Sequence, residues 1–543
     1  MKLSDHAKSL VDKLRRESPP SQRQFGEPGW NIEVLEQLVE RGEFAAIPYL
    51  IPMLFSDNRD ESLSGARAVE ALLSRATPEG LAWLDELIRQ SLLFGYHVHW
   101  QKLQPLDLAK WVGPGEQGRL LLRLSSFHSN GYIREESVRR LTLIEDGSEL
   151  PYLLIRLGDW VIQVREAAKW AVLQRIRKSY ADHFVKNLAL VLRLKGKRRA
   201  DHTHIIELVT RLLSGPSARP SVFAGINDRS RTVRRACFQL LTTGRPADLS
   251  NTLLMATEVE DPVIRLRAAG LLGDVLPADQ LSAALLKLLR DRFPPIRREA
   301  LSLWVKAFPA NAGEKLMLAL LDGCRSVREE ARYHVRKNDD SDFAQFYWDA
   351  LVGGDSKVLG ATISGLAESG IPEDAELVLP FLFHPMAKIR RAACRCLMVL
   401  GGAKFVHRIF QMVLDDSPGV SAQARKALEP HTGSLTATKI WNTFKATAKP
   451  VHARLNLLRL IAALPKWEKI SYLILAASDE DRAVAEMAGD HVLRWNYGYN
   501  RSQSVPSKEQ IERLDVALSH ASGVISDEGL GAIRFAVSPF RKQ

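Results

Sequence analysis

The side chains in this sequence best suited to chemistry are cations rather than nucleophiles. Lys195, Lys197, Arg198 and Arg199 fall within five residues, as Lys-Gly-Lys-Arg-Arg. Arg175, Arg177 and Lys178 precede them, and Arg229 and Arg231 follow. From Arg156 to Leu240, eighteen Lys or Arg face six Asp or Glu, while the other 57 basic and 57 acidic residues cancel. The entire net charge of +12 therefore resides in segment 156–240. Such a surface attracts phosphates or carboxylates at long range and binds them with strong salt dependence. The segment reads as a docking site for nucleic acid or for an acidic protein. A solvated face with no specific role is the third reading. Trp160, Trp170 and Tyr180 also lie here. Aromatic stacking would favour a single strand, but Trp170 falls where a helix would face the core, and all three read as packing residues.

Other candidates are weaker. His97-Val98-His99 and His202-Thr203-His204 are His-x-His pairs, which a helix places about 200° apart. No cysteine or carboxylate stands at useful spacing, so no metal site is expected. Cys394-Arg395-Cys396 is not a Cys-x-x-Cys pair, and Cys237 and Cys394 occupy small-residue positions of helices, which makes them core thiols. Asp159-Trp160 and Trp348-Asp349 juxtapose carboxylate and indole. The sequence has no phosphate loop, no Gly-x-Ser-x-Gly and no His-Glu-x-x-His. No catalytic residue and no cofactor is assigned.

The elements that must position these residues repeat. Asp228 leads to Val233-Arg234-Arg235-Ala236, Asp261 to Leu266-Arg267-Ala268-Ala269, Asp291 to Ile296-Arg297-Arg298, and Asp322 to Val327-Arg328. The signature Arg, or the residue in its place, recurs at Arg134, Arg165, Arg199, Arg234, Arg267, Arg297, Arg328, Leu359, Arg390, Ser421, Arg454 and Ala485. The steps run from 30 to 35 residues, a period that signals a solenoid. Each period reads as two short helices. Val233, Ala236, Cys237, Leu240 and Leu241 form one helical stripe, Gly244-Arg245-Pro246 breaks it, and a second helix follows around Leu249–Ala256. No strand-like alternation of any length occurs, so the chain is expected to be all-α.

These residues resemble HEAT repeats, in particular the short bacterial kind named after phycobilisome lyases, over roughly residues 120–495. The resemblance implies a right-handed α-solenoid of helical hairpins. It also implies a ladder of hydrogen bonds between adjacent repeats, made by Asp and Arg six apart: Asp159/Arg165, Asp228/Arg234, Asp261/Arg267, Asp291/Arg297 and Asp322/Arg328. His384 replaces the Asp before Arg390, and Ser421 replaces the Arg after Asp415, so those junctions should lack the pair and be looser. As to role, the resemblance is nearly silent; the extended repeat surface and the basic segment read as a non-enzymatic scaffold or adaptor that holds a protein partner, with nucleic acid reached through the basic segment. Two alternatives come from related solenoids. One is a DNA glycosylase of the alkylation-repair type, with Asp159-Trp160 and Trp348-Asp349 as its set. The other is a chaperone-like bilin lyase.

The ends diverge from the repeat. Residues 1–119 form a divergent helical region, with a polar loop at 14–31 and an irregular stretch at 90–118; 120–495 form the array; 496–543 are a linker and a capping helix near Ile511–Leu518. Terminal repeats of a solenoid are atypical because one face must be polar. The start lacks a signal-peptide pattern, and no stretch approaches about 18 uncharged apolar residues, so no membrane span is expected. Four cysteines make no disulfide framework, which fits a reducing, cytoplasmic compartment. The oligomeric state is open.

Overall fold

The computed structural model describes residues 5–16, 32–56, 58–91, 98–111, 115–197, 199–244, 246–337, 341–447, 450–498, 504–521 and 525–541. Arg198, His97, Asn338, most of the 14–31 loop and residues 499–503 of the linker lie outside them. By compactness the chain forms two units, Met1–Pro277 and Ala278–Gln543. The division falls inside the stretch that the sequence reads as one array.

Each unit is a stack of short helices joined as hairpins. Among the described residues there is no strand beyond one bridge residue at Ile525. The hairpin Arg231–Thr242 and Leu249–Ala256 shows why. Its first helix buries Val233, Cys237, Phe238 and Leu241, one stripe at helical spacing. Its second buries Leu249, Leu253 and Ala256. The two helices pack on each other, and the hairpins before and after them cover the rest of each stripe. The C-terminal unit repeats this logic, with Leu359–Ser369 packing on Ala387–Gly401, and that on Pro418–Leu428. The array is the α-solenoid of HEAT-like hairpins expected from the sequence.

The ladder follows from simple counting. Asp291 to Asp322 is 31 residues, and Arg297 stands six past Asp291, so Arg297 and Asp322 are 25 apart. Arg297 donates back to the Asp291 carbonyl at 2.7 Å and forward to both Asp322 oxygens at 2.7 and 2.6 Å. Asp322 Oδ1 also accepts from the Cys324 N–H at 2.7 Å, which fixes the turn that leads into the next helix. Arg134/Asp159, Arg390/Asp415 and Arg454/Asp479 repeat the 25-residue rung. Asp228 caps Ser230, and Arg234 shares Asp261 with Arg235. Among the described residues Arg165 donates to the carbonyls of Asp159 and Trp160 and makes no rung, because position 190, 25 residues on, is Leu190.

Two ladder expectations need correction. Arg267 is exposed, and Arg265 is the buried residue that donates to the carbonyls of Val259 and Glu260 at 2.8 Å. Asp228 to Asp261 is 33 residues rather than 31, whereas Arg265 keeps the 31-residue step from Arg234. Arg267, two residues on, is turned by about 200° towards solvent. The junctions at His384 and Ser421 are also tied. His384 Nδ1 accepts from the Met386 N–H at 3.1 Å, imitating the capping carboxylate, and Arg390 still bonds the His384 carbonyl at 3.0 Å. Buried Ser421 donates to the Val413 carbonyl and accepts from Asn456 Nδ2 at 2.8 Å, so a neutral bond replaces the ionic rung.

Arg328 finds no Asp 25 residues on, where Gly353 stands. It turns instead to half-buried Glu368, which it shares with Arg332; Arg332 also donates to the Tyr347 hydroxyl at 3.2 Å. Replacing Glu368 with Ala would strand two buried guanidinium groups. That change should destabilise the C-terminal unit by about 3–5 kcal/mol, read as a lower urea midpoint.

One segment among the described residues, Ala387–Leu414, is long and apolar enough by composition to cross a membrane. Here it is broken at Gly402, whose φ of +50° few other residues adopt. Its first helix is packed between neighbouring hairpins.

At the chain's end the helix Arg482–Gly498 runs through the start of the expected linker. The capping helix is Lys508–Ser519, opened by a Ser507/Gln510 capping box. A further helix, Asp527–Val537, was not expected from the sequence.

Candidate functional site

The basic segment is less basic in space than along the chain. Arg156 pairs with Asp85, Arg175 with Glu149, Arg177 with Glu145, Arg219 with Asp248, and Arg234 and Arg235 with Asp261. All five carboxylates lie outside 156–240 and fold back onto it. The local excess therefore falls from +12 to +7. Three of the expected binding cations are affected. Arg175 is buried on the Val164–Ala168–Ala171–Val172 face of helix Ile162–Arg175, bonded to Glu149 and to the carbonyls of Ala171, Thr142 and Ile144. It is a packing residue, and its place among docking residues is corrected. Arg177 is bound to exposed Glu145 at 2.8 Å and lies 5.1 Å from the Tyr180 ring centre. Arg199 donates to the Gly158 carbonyl at 3.3 Å.

What remains is compact. Arg193, Lys195 and Lys197 have no carboxylate partner among the described residues. They sit at the end of helix Leu188–Arg193 and the 3-10 turn Leu194–Gly196, which the buried side chains of Leu190 and Leu194 anchor. Lys178, Arg229 and Arg231 are exposed on other turns. Arg193, Lys197 and Arg199 line a cavity of about 370 Å³ with Asp85, Arg89, Arg156, Asp159 and Trp160. The stem of Lys197 lies over Gly158, where a β-carbon would come within 3.2 Å of it.

The two aspartates of the cavity are already consumed. Asp85 takes Arg89 at 2.6 Å and also Arg156. Asp159 takes Arg134 at 2.8 and 2.7 Å, Arg156 at 2.9 Å, and the Val161 N–H at 2.9 Å. Burial pushes the Asp159 carboxyl up, but these donors and charges outweigh it and hold it below the usual 3.8. Burial and the like charges of Arg193 and Arg199 push the Lys197 ammonium below its usual 10.5. Cations crowded in this way are relieved by an anion.

The aromatic residues divide differently from the expectation. Tyr180 is buried and donates to Glu149 at 2.8 Å. Trp160 is 70% exposed, with the Arg199 guanidinium 3.6 Å from its ring centre. Trp170 is exposed as well, which corrects its assignment to the core. The helix buries 164, 168, 171 and 172, and Trp170 lies on the opposite side with Gln163, Glu166 and Ala167.

Among the described residues no cluster of three His, Cys, Asp or Glu could hold a metal ion. Cys237, Cys394 and Cys396 are buried, and burial pushes each thiol up to about 12. Asp349 is exposed and accepts from Gln345 at 2.8 Å.

Fold and site together define an α-solenoid of HEAT-like helical hairpins with a cluster of cations around one cavity of its N-terminal unit. No protein-family model matches the chain, and no curated protein matches it. Among solved structures, importin beta crystallised in polyethylene glycol aligns over 99% of this chain and 84% of its own, at 12% identity and a TM-score of 0.36. Its ammonium sulfate form aligns over 99% and 81%, at 11% identity and a TM-score of 0.33. Kap121p bound to the SUMO protease Ulp1p aligns over 98% of this chain, at 14% identity and a TM-score of 0.27, and this chain covers 58% of that protein. At such scores the likeness says nothing about role.

Proposed function

We propose that this chain is a non-enzymatic binding scaffold that docks an anionic macromolecule, single-stranded nucleic acid, on the basic edge of its N-terminal unit. The observation that carries the reading is the juxtaposition of Arg193, Lys197 and Arg199 with exposed Trp160 around one cavity. The cations would take successive phosphates, and the indole would take a base. Base stacking is tolerant of sequence because every base has a π-face. Lys195 adds long-range attraction, and Lys178, Arg229 and Arg231 extend it along neighbouring turns.

An acidic protein would use the same cations but gain less from the indole. The glycosylase alternative needs a carboxylate in a catalytic role, and Asp159 is spent on Arg134 and Arg156. Asp349 belongs to the other compact unit. No residue here supports the bilin-lyase alternative in particular.

Trp160→Ala separates the nucleic-acid and protein partners. It should weaken single-strand binding by about 1–3 kcal/mol in fluorescence anisotropy. Unchanged strand affinity, with binding of a poly-glutamate peptide, would transfer the edge to an acidic protein.

A further inference from the structure

Next to this edge lies a second cavity of about 450 Å³, lined by Lys195, Lys197, Asp201, His202, Thr203 and Glu207. His202 is only 6% exposed. Its Nε2 is buried and has no hydrogen-bond partner among the described residues. Native proteins rarely leave such an atom unpaired, and each instance asks for a reason. His202 is also the N-cap of helix Thr203–Ser214, yet its side chain makes no capping bond. That helix start offers outward-facing amides and a partial positive charge. Asp201 is occupied locally, its Oδ1 accepting from the Thr203 N–H and hydroxyl at 2.9 and 2.6 Å.

We propose that this cavity binds a tetrahedral oxyanion, a phosphoryl or sulfate-type group, with His202 Nε2 as hydrogen-bond donor and Lys195 and Lys197 as counter-charges. The site uses His202, which the strand-docking reading does not need. The oxyanion is either a small phosphate-bearing molecule or a backbone phosphate of a strand seated next door.

Binding is linked to protons. Burial, then the charges of Arg165, Lys169 and Lys197, lower the His202 pKa from its usual 6.5, against the pull of Asp201. Glu207 also faces the cavity. A bound anion favours the imidazolium and raises that pKa. Affinity therefore grows as pH falls, by up to about tenfold for each unit of upward shift.

The test is calorimetric titration of the full chain with sulfate, which keeps its double charge through the neutral range, at about pH 8 and about pH 6. Wild type should bind several-fold more tightly at the lower pH. His202→Gln should bind weakly and without that dependence. Lys195→Gln, an exposed change that leaves the fold alone, should weaken sulfate several-fold at both values. Sulfate binding that ignores both substitutions, or no binding by wild type, overturns the site. Competition assigns the source. Displacement of sulfate by a single-stranded oligonucleotide makes the oxyanion a backbone phosphate, and simultaneous binding makes it a small ligand. A chain that binds sulfate in this way but no strand keeps the site and removes the strand-docking reading.

Discussion

Asp159→Ala should destabilise the N-terminal unit by about 3–5 kcal/mol, the cost of breaking a buried ion pair by removing one partner. Asp159 is the shared acceptor of Arg134 and Arg156, both buried, and it accepts from the Val161 N–H just before the helix that begins at Ile162. Without it, Arg134 loses its carboxylate, Arg156 keeps only Asp85, and the Val161 N–H loses its acceptor. Urea unfolding followed by circular dichroism reads the effect as a lower midpoint with little change in slope. The folded fraction should still bind an oligonucleotide. A variant of normal stability that had lost activity on a nucleic acid would instead make Asp159 a functional carboxylate. The sign of the pH effect follows from the lowered folded pKa. The stabilisation is fully present above the ordinary value of 3.8 and is lost as pH falls through the folded value.

The second large effect concerns binding. Reversing Arg193, Lys197 and Arg199 to Glu removes three cations of the first cavity that have no carboxylate partner among the described residues, and puts like charge where phosphates would lie. Single-strand affinity should fall on the order of 100-fold or more at low salt. Helix content should be unchanged, since none of the three makes an ion pair among the described residues. Reversing exposed Lys178 alone should cost far less, because it lines neither cavity. Equal losses from both variants would mean diffuse charge attraction rather than a site.

The architecture was legible because it is local and periodic. Asp291, Arg297 and Asp322 specify cap, helix and rung by spacing alone. Where the spacing slipped by two residues, the sequence put Arg267 in the place that Arg265 fills. Arg328's turn to Glu368, 40 residues on, broke the period and left no signal. The candidate site was half legible. Lys195, Lys197 and Arg199 stood out as a run, but charge counted along the chain hid the carboxylates that return from Asp85, Glu145, Glu149, Asp248 and Asp261. Arg175 looked available because its buried face could be told only from the neighbours that pack on it. Trp170 was misplaced for the same reason: a helix in a solenoid has a narrow core stripe, and one residue of phase decides the side. His202 could not have been singled out, since an unpaired nitrogen is a property of packing.

The most direct measurement is a salt titration of binding between the purified chain and labelled single-stranded DNA, double-stranded DNA and RNA. Three phosphate contacts on a single strand imply a slope of log affinity against log salt of about −2. Single strands should bind more tightly than the duplex, which offers Trp160 no unstacked base. The slope should flatten in the Arg193, Lys197 and Arg199 reversal. No binding to any of the three nucleic acids at low salt would contradict the proposed function outright.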